Sequence, residues 1–401
     1  MAVPAPTIRA ALPSLLTLMA ATFVAVTTEM LPIGLLPLIG DEFLVSESQT
    51  GLLITLFAVM VAVLAVPATL LTARLPRKPL LLACLACYGI SNACAMAAPN
   101  LALIAVGRVL GGLTHALFFS VCIGYAARLV APGLTGRALA IASAGVSAAF
   151  VLGVPLGVSL GTLLGWRGAF AMVSGCAALT LLLAATTIPP VPVTRGRTSN
   201  RAGTWRRFAT VLTSNGLVYL GHYLLFTYIT VLLLTGGAST AALGPLLFGF
   251  GGGGLVTLIV AGRHFDAAPR RSLLSIVTVM AVGMAAAAAL HPALIATVVA
   301  CAVWNAAFGA VSPIYQAAAV TADATTPELA GAWVNATCNA GIALGAAIGG
   351  FVLDRYDIAA VGWTAAVITG VALAIAAVAK LSFPPRAPAQ AGTPRPRTSG
   401  R

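Results

Sequence analysis

Apolar runs of roughly 18 to 25 residues recur along the chain, each long enough to cross about 30 Å of hydrocarbon as a helix. That recurrence constrains the fold more than any other feature. A spanning segment must satisfy its own backbone hydrogen bonds, and an α-helix does so within one segment. Only 8% of the 401 residues are charged and 60% are hydrophobic, against about 25% charged in soluble domains. The chain therefore has too few charges to cover a water-facing surface, and its solvent is the bilayer.

Helices are expected at about 12–39, 50–72, 79–97, 101–127, 138–163, 168–188, 208–234, 240–262, 272–290, 293–317, 330–353 and 358–381. The fold class is all-α integral membrane, with twelve transmembrane helices in two pseudo-symmetric six-helix bundles. The net charge of +13 does not indicate nucleic acid, because no soluble basic domain exists to carry it. Among Lys and Arg, only Arg167 and Arg355 fall in one set of loops and Arg108 lies within a span; the rest crowd the alternate loops and both tails. This bias puts both termini in the cytoplasm. The first apolar segment is too long for a signal-peptide core, so it is expected to remain in the mature protein.

The organisation expected is an N-terminal bundle over 1–188, a cytoplasmic linker over 189–207, a C-terminal bundle over 208–381 and a disordered tail over 382–401. A weak repeat supports the halving. The segment from Ala73 to Lys78 after the second span aligns with the segment from Asp266 to Arg271 after the eighth, and the same shift carries Glu29 onto His222.

Several familiar motifs fail on context. The seven cysteines all lie in apolar spans, and Cys84-Leu-Ala-Cys87 sits mid-helix without a second pair, so it reads as packing. Gly249-Phe-Gly251-Gly-Gly-Gly254 has the spacing of a dinucleotide loop but no strand before it. No phosphate-cradling loop is present, and the two lysines, Lys78 and Lys380, belong to no such motif. Neither an enzyme nor a cofactor or metal is expected.

The candidate chemistry begins with Glu29, in the middle of FVAVTTEMLPIGLLPLI (23–39), where no other charge lies between Arg9 and Asp41. A charge at a helix centre costs about 2.5 to 3.5 kcal/mol on insertion scales, so such a group faces the bundle interior. Burial disfavours the ionised form, which suits a group that takes up and releases a proton. The alternative is a structural carboxylate bonded to a neighbouring helix. Arg108 and His115 lie two turns apart on one face, with Gly111 and Gly112 between them. Arg108 is read as holding Glu29 ionised or as a plain counter-ion, and His115 as a proton relay or a packing histidine. With His222, these four make the proton-coupling set. Asn215, Tyr219, His222 and Tyr223 form a polar-aromatic stripe on the seventh span; Trp304 and Asn305, then Asn335 and Asn339, add polar groups on the tenth and eleventh. They either line a substrate cavity or fasten helices. Gly145, Gly153, Pro155 and Gly157 are expected to allow the fifth span a tight crossing with a helix of the other half, with Pro155 bending it.

These residues resemble the major facilitator superfamily, and within it the twelve-span drug/proton antiporters, above all the bacterial sugar-efflux, arabinose-efflux and chloramphenicol-export groups. The likeness is carried by TTEMLPIGLLPLI in the first span, by Arg108, Gly112 and His115 in the fourth, and by Gly145, Gly153, Pro155, Gly157 and Gly165-Trp166-Arg167 around the fifth. The loop after the second span keeps Arg74, Arg77 and Lys78 but has Thr69, Ala73 and Pro76 where the superfamily has Gly, Asp and Gly. Its second copy keeps Asp266, Arg270 and Arg271, so the resemblance implies a gating latch that relies on Asp266. It further implies a monomeric bacterial inner-membrane exporter that exchanges a small molecule for protons by alternating access. A proton-symport importer of the same fold is the alternative, and a non-transporting receptor or scaffold a remote one.

Overall fold

The computed structural model describes residues 7–131, 134–191, 205–265, 269–380 and 382–383. Twelve helical spans cross it: α1 (Ile8–Phe43), α2 (Glu47–Leu71), α3 (Arg77–Met96), α4 (Leu101–Arg128), α5 (Arg137–Leu164), α6 (Trp166–Thr187), α7 (Trp205–Thr235), α8 (Thr240–Val260), α9 (Arg270–Leu290), α10 (Leu294–Thr321), α11 (Leu329–Arg355) and α12 (Ile358–Val378). No strand occurs among the described residues. The linker expected over 189–207 and the tail over 382–401 lie mostly outside the described residues, as does Asp266. Where residues are described, α7 starts at Trp205, ahead of the expected 208. Arg206 and Arg207 make its first turn strongly polar, so the apolar pattern begins only at Phe208.

α1 runs further at both ends than hydropathy indicates. Thr7 caps its N-terminus by accepting from the Ala10 N–H, and Leu44 closes it in the left-handed region with φ 54°. Pro13, Pro32 and Pro37 lie inside this helix without ending it. A proline leaves the carbonyl four residues earlier without its N–H partner, and in a membrane a neighbouring helix must supply one. α5 contains a π-helical segment, Ala149–Gly153, in which the Val154 N–H reaches the Ala149 carbonyl. Pro155 cannot donate to Val151, so the helix widens just before it.

The halves share a scaffold. At the start of α3, Lys78 Nζ donates to Ala185 O at the end of α6, 2.8 Å away; at the start of α9, Arg270 Nη2 donates to Ala377 O at the end of α12, 2.5 Å away. Each cation thus neutralises the carbonyl end of a helix. Packing between α1 and α5 recurs as packing between α7 and α11. In the first pair, a Cβ on Gly145, Gly153 or Gly157 would meet Met19, Thr27 or Leu31 of α1; in the second, one on Gly341 or Gly345 would meet the backbone of α7 at Gly216 or Leu220.

This corrects the expected crossing. Gly145, Gly153 and Gly157 face α1 of their own half, not the other half. The contact from α5 across to α8 relies on glycines of α8: Gly244 lies against Ser159 and the Pro155 carbonyl, and Gly251 against Phe150. The physical reason is that Phe150 and Ser159 occupy the outward face of α5, so the small residues must come from the partner.

The halves meet through α2 with α11 and through α5 with α8. Hydrogen bonds joining them include Ser48 Oγ to Asp354 Oδ2 (2.5 Å), Thr55 Oγ1 to Ala343 O (3.3 Å), Tyr223 Oη to Met30 Sδ (3.3 Å) and Thr230 Oγ1 to Ile33 O (3.5 Å). These lie between the middle of the bundle and the sparsely charged end, where α1 finishes and α2 begins. There, residues 24–36 of α1 and 218–233 of α7 are buried without interruption. Toward the basic end, α2, α4 and α11 touch through apolar side chains, Ala65, Ala116 and Ala336 among them.

Candidate functional site

Glu29 sits in the uninterrupted buried stretch of α1, 6% exposed. Its Oε2 lies 3.4 Å from His115 Nε2 of α4, while its Oε1 is buried with no hydrogen-bond partner among the described residues. On the far side of the imidazole, Nδ1 lies 3.0 Å from Tyr88 Oη of α3. Three helices therefore converge on one carboxylate through a line of proton-carrying atoms. Phe57 and Phe119 pack around the imidazole, with ring centroids 5.3 and 5.0 Å away. Cys84 is buried one turn before Tyr88 on the same face.

Arg108 is brought to the same place but does not touch the carboxylate. Its Nη1 donates to Thr28 O (2.6 Å), Nη2 to Glu29 O (2.9 Å) and Nε to Leu53 O (3.1 Å), and its guanidinium lies over the Phe57 ring at 4.2 Å. The TTEMLP segment explains the first bond. Pro32 has no N–H to give Thr28 O, so that carbonyl is free and Arg108 occupies it. Pro37 frees Ile33 O in the same way, and there Thr230 of the other half donates. Arg108 of α4 thus ties the backbones of α1 and α2 together, and a fixed positive charge remains beside Glu29. Thr28 Oγ1 accepts from Asn92 Nδ2 at 2.9 Å, tying α3 to the same turn.

The second-half residues form a different environment. His222 is 1% exposed. It stacks on Phe308 (centroids 3.5 Å apart, planes 6° apart) and accepts a hydrogen bond at Nδ1 from Trp304 Nε1 at 2.9 Å. Among the described residues no contact joins it to Glu29. The α7 stripe divides. Asn215 turns to α11, donating to Val334 O and Thr337 Oγ1, and so fastens helices. Tyr219 and Tyr223 stack with centroids 6.1 Å apart, and Tyr223 donates to Met30 beside Glu29. Asn305 bonds back to Cys301 O, and Asn339 Nδ2 bonds to Asn335 O and Oδ1, leaving Asn339 Oδ1 buried and unpartnered among the described residues. Arg74 is exposed, Arg77 and Lys78 are half-buried, and Arg271 is exposed beside the helix-capping Arg270.

Sequence reasoning missed Tyr88, Thr28 and Asn92. A signal existed: Tyr88 and Asn92 are polar residues one turn apart on an otherwise apolar span. What they would meet was not visible from that spacing.

Twelve apolar spans with an ionisable cluster buried among them define a polytopic helical membrane protein. The family model described as Major Facilitator Superfamily matches residues 18–324. The chain belongs to that superfamily. It is 34% identical over 260 residues to a chloramphenicol efflux pump of Mycobacterium tuberculosis, and the match covers 63% of each chain. It is 29% identical over 363 residues to a probable sugar efflux transporter of Mannheimia succiniciproducens, covering 88% of this chain and 90% of that one. Among solved structures, a bacterial homologue of the human lysosomal transporter Spinster superposes with TM-score 0.66 at 17% identity, covering 96% and 98% of the two chains. The human organic anion transporter MFSD10 gives TM-score 0.66 at 18% identity, covering 92% and 100%. These two likenesses concern the fold.

Proposed function

We propose that this chain exports a small, neutral or weakly polar organic solute across the bacterial inner membrane in exchange for protons. It acts as a monomer with both termini in the cytoplasm. Residues 1–188 and 208–381 are the two rocking bundles, joined by 189–207 and followed by the tail 382–401. The observation that carries this reading is Glu29: a buried carboxylate with one oxygen at His115, the other unpartnered among the described residues, next in sequence to Met30, which Tyr223 of the other half contacts.

A carboxylate in that position changes the bundle energy with its protonation state. Ionised, it brings a buried charge that Arg108 and His115 must balance; protonated, it is a neutral hydrogen-bonding group. Coupling follows if solute and proton compete for the same space against Tyr223 and Met30. The side-chain hydrogen bonds between the halves lie toward the sparsely charged end, which is the periplasmic one in this reading. The relatives' names as efflux pumps support the direction of transport.

The test uses proteoliposomes with an imposed pH gradient and radiolabelled chloramphenicol, then arabinose, as probes. Wild-type protein is expected to drive the probe against the proton gradient, and Glu29→Gln to reduce this to the level of protein-free liposomes. Equal proton release from both proteins on adding the probe would refute Glu29 as the carrier. Accumulation of probe by energised cells, in place of exclusion, would replace export with import.

A further inference from the structure

Two buried histidines occupy repeat-related halves, and the atoms facing their Nδ1 differ in kind. His115 Nδ1 faces the Tyr88 hydroxyl at 3.0 Å, which can donate or accept. His222 Nδ1 faces the Trp304 indole N–H at 2.9 Å, which can only donate. We infer that His115 and Tyr88 form a reversible hydrogen-bond pivot that carries Glu29's proton, whereas Trp304 holds His222 in one neutral form throughout the cycle. This assignment rests on the proton-coupled reading above.

The proton balance is simple. With Glu29 ionised, His115 carries its proton on Nε2, toward the Glu29 oxygen 3.4 Å away, and Nδ1 accepts from Tyr88 O–H. When the Glu29–His115 pair takes up one proton, Nδ1 becomes N–H and donates to Tyr88 Oη, which turns its own hydrogen away. Glu29 then shares a proton with Nε2. No group is oxidised or reduced, and one proton has entered. Tyr88 is a positioning residue here: it stabilises both states of the imidazole by reversing its bond.

His222 cannot follow the same course. A proton on its Nδ1 would set an N–H against the Trp304 N–H, breaking the one hydrogen bond that either ring makes among the described residues. The neighbours of His222 are aromatic: Tyr223, Phe226, Trp304 and Phe308. None is a carboxylate that could compensate. His115, by contrast, has Glu29 from α1, Tyr88 from α3 and Phe57 from α2 around it, with Arg108 two turns earlier on its own helix.

The experiment is nitrogen NMR of the full-length protein in lipid, with histidine labelled at Nδ1 and signals assigned through His115→Gln and His222→Gln. Acidification is expected to convert the His115 Nδ1 signal from the bare-nitrogen to the N–H type, while the His222 Nδ1 signal stays bare. In Tyr88→Phe, His115 Nδ1 is expected to stay bare over the same pH range, with the unchanged His222 signal reporting an intact fold. A His222 Nδ1 that gains a proton overturns the inference. So does a His115 Nδ1 that never gains one in the wild type, or one that still does in Tyr88→Phe. Failure of the coupling reading is separable: transport would then ignore the pH gradient, whatever the histidine signals do.

Discussion

Glu29 and His222 lie in the first and the seventh of the twelve spans, and their surroundings differ in chemistry. Around Glu29, polar atoms line up from Tyr88 through His115 to the carboxylate, with Arg108 beside them. Around His222, aromatic rings close in, and one indole N–H is the polar partner. The scaffold under both is nearly the same: a basic cap from the third helix of the half onto the sixth, and small residues packing the fifth helix against the first. The packing that holds each bundle is thus alike in the two halves, while the central side chains differ. In the proposed reading, the first half handles the proton and the second half walls the solute path.

The sharpest way to break this contrast is a pair of substitutions. Glu29→Gln is expected to abolish pH-driven transport, whereas His222→Gln keeps proton release on probe addition and changes only probe affinity. Proteoliposome flux measured beside proton release separates the two, and loss of proton release in His222→Gln would end the division of labour.

Next in size is Arg108→Ala. It strands Thr28 O, which Pro32 leaves without a backbone partner, and removes the contact with Phe57. A stranded buried acceptor costs about 1–3 kcal/mol and the cation–π contact adds about 1–2, so roughly 3 kcal/mol is expected. Arg108→Lys should recover only part, since one ammonium cannot span three carbonyls on two helices. Thermal unfolding in detergent checks both; an unchanged midpoint in Arg108→Ala would show that the backbone splice carries no stability.

Gly145→Ala and Gly345→Ala test the shared scaffold. In each, the added Cβ runs into backbone of the first helix of its half, at Met19 O and Phe23 N or at Leu220 O and Leu224 N. Overpacking of this kind costs about 1–3 kcal/mol, and the two losses are expected to match. A large cost in one half alone would mean that the repeat is not mechanically equivalent.

The smallest effect is expected at the sparsely charged end. Ser48→Ala removes an exposed hydrogen bond to Asp354 between the halves, worth under about 1 kcal/mol in stability. Its effect should appear as faster opening of that end, read by fluorescence between labels on α2 and α11, with little change in unfolding.

Much of the fold was legible in one dimension. Span length and apolarity are local properties, and each helix satisfies its own backbone, so twelve helices follow from composition without knowing any neighbour. Glu29 stood out for the same reason: a lone ionisable residue in an apolar span must be buried among helices. The ends of α1 were less legible: apolarity places them at 12 and 39, whereas the Thr7 cap and the left-handed Leu44 set them at Ile8 and Phe43.

The sequence by itself thus determined the number of helices, their halving and the one carboxylate worth following. Only the tertiary structure decided what meets it. Arg108, the obvious counter-charge, turns to carbonyls that prolines set free, and His115 with Tyr88 takes the place beside the carboxylate. The α5 glycines serve their own half because bulkier side chains hold the other face. Such pairings depend on how helices distant in sequence cross and rotate against each other, and hydropathy, which is summed along one helix, carries no record of that.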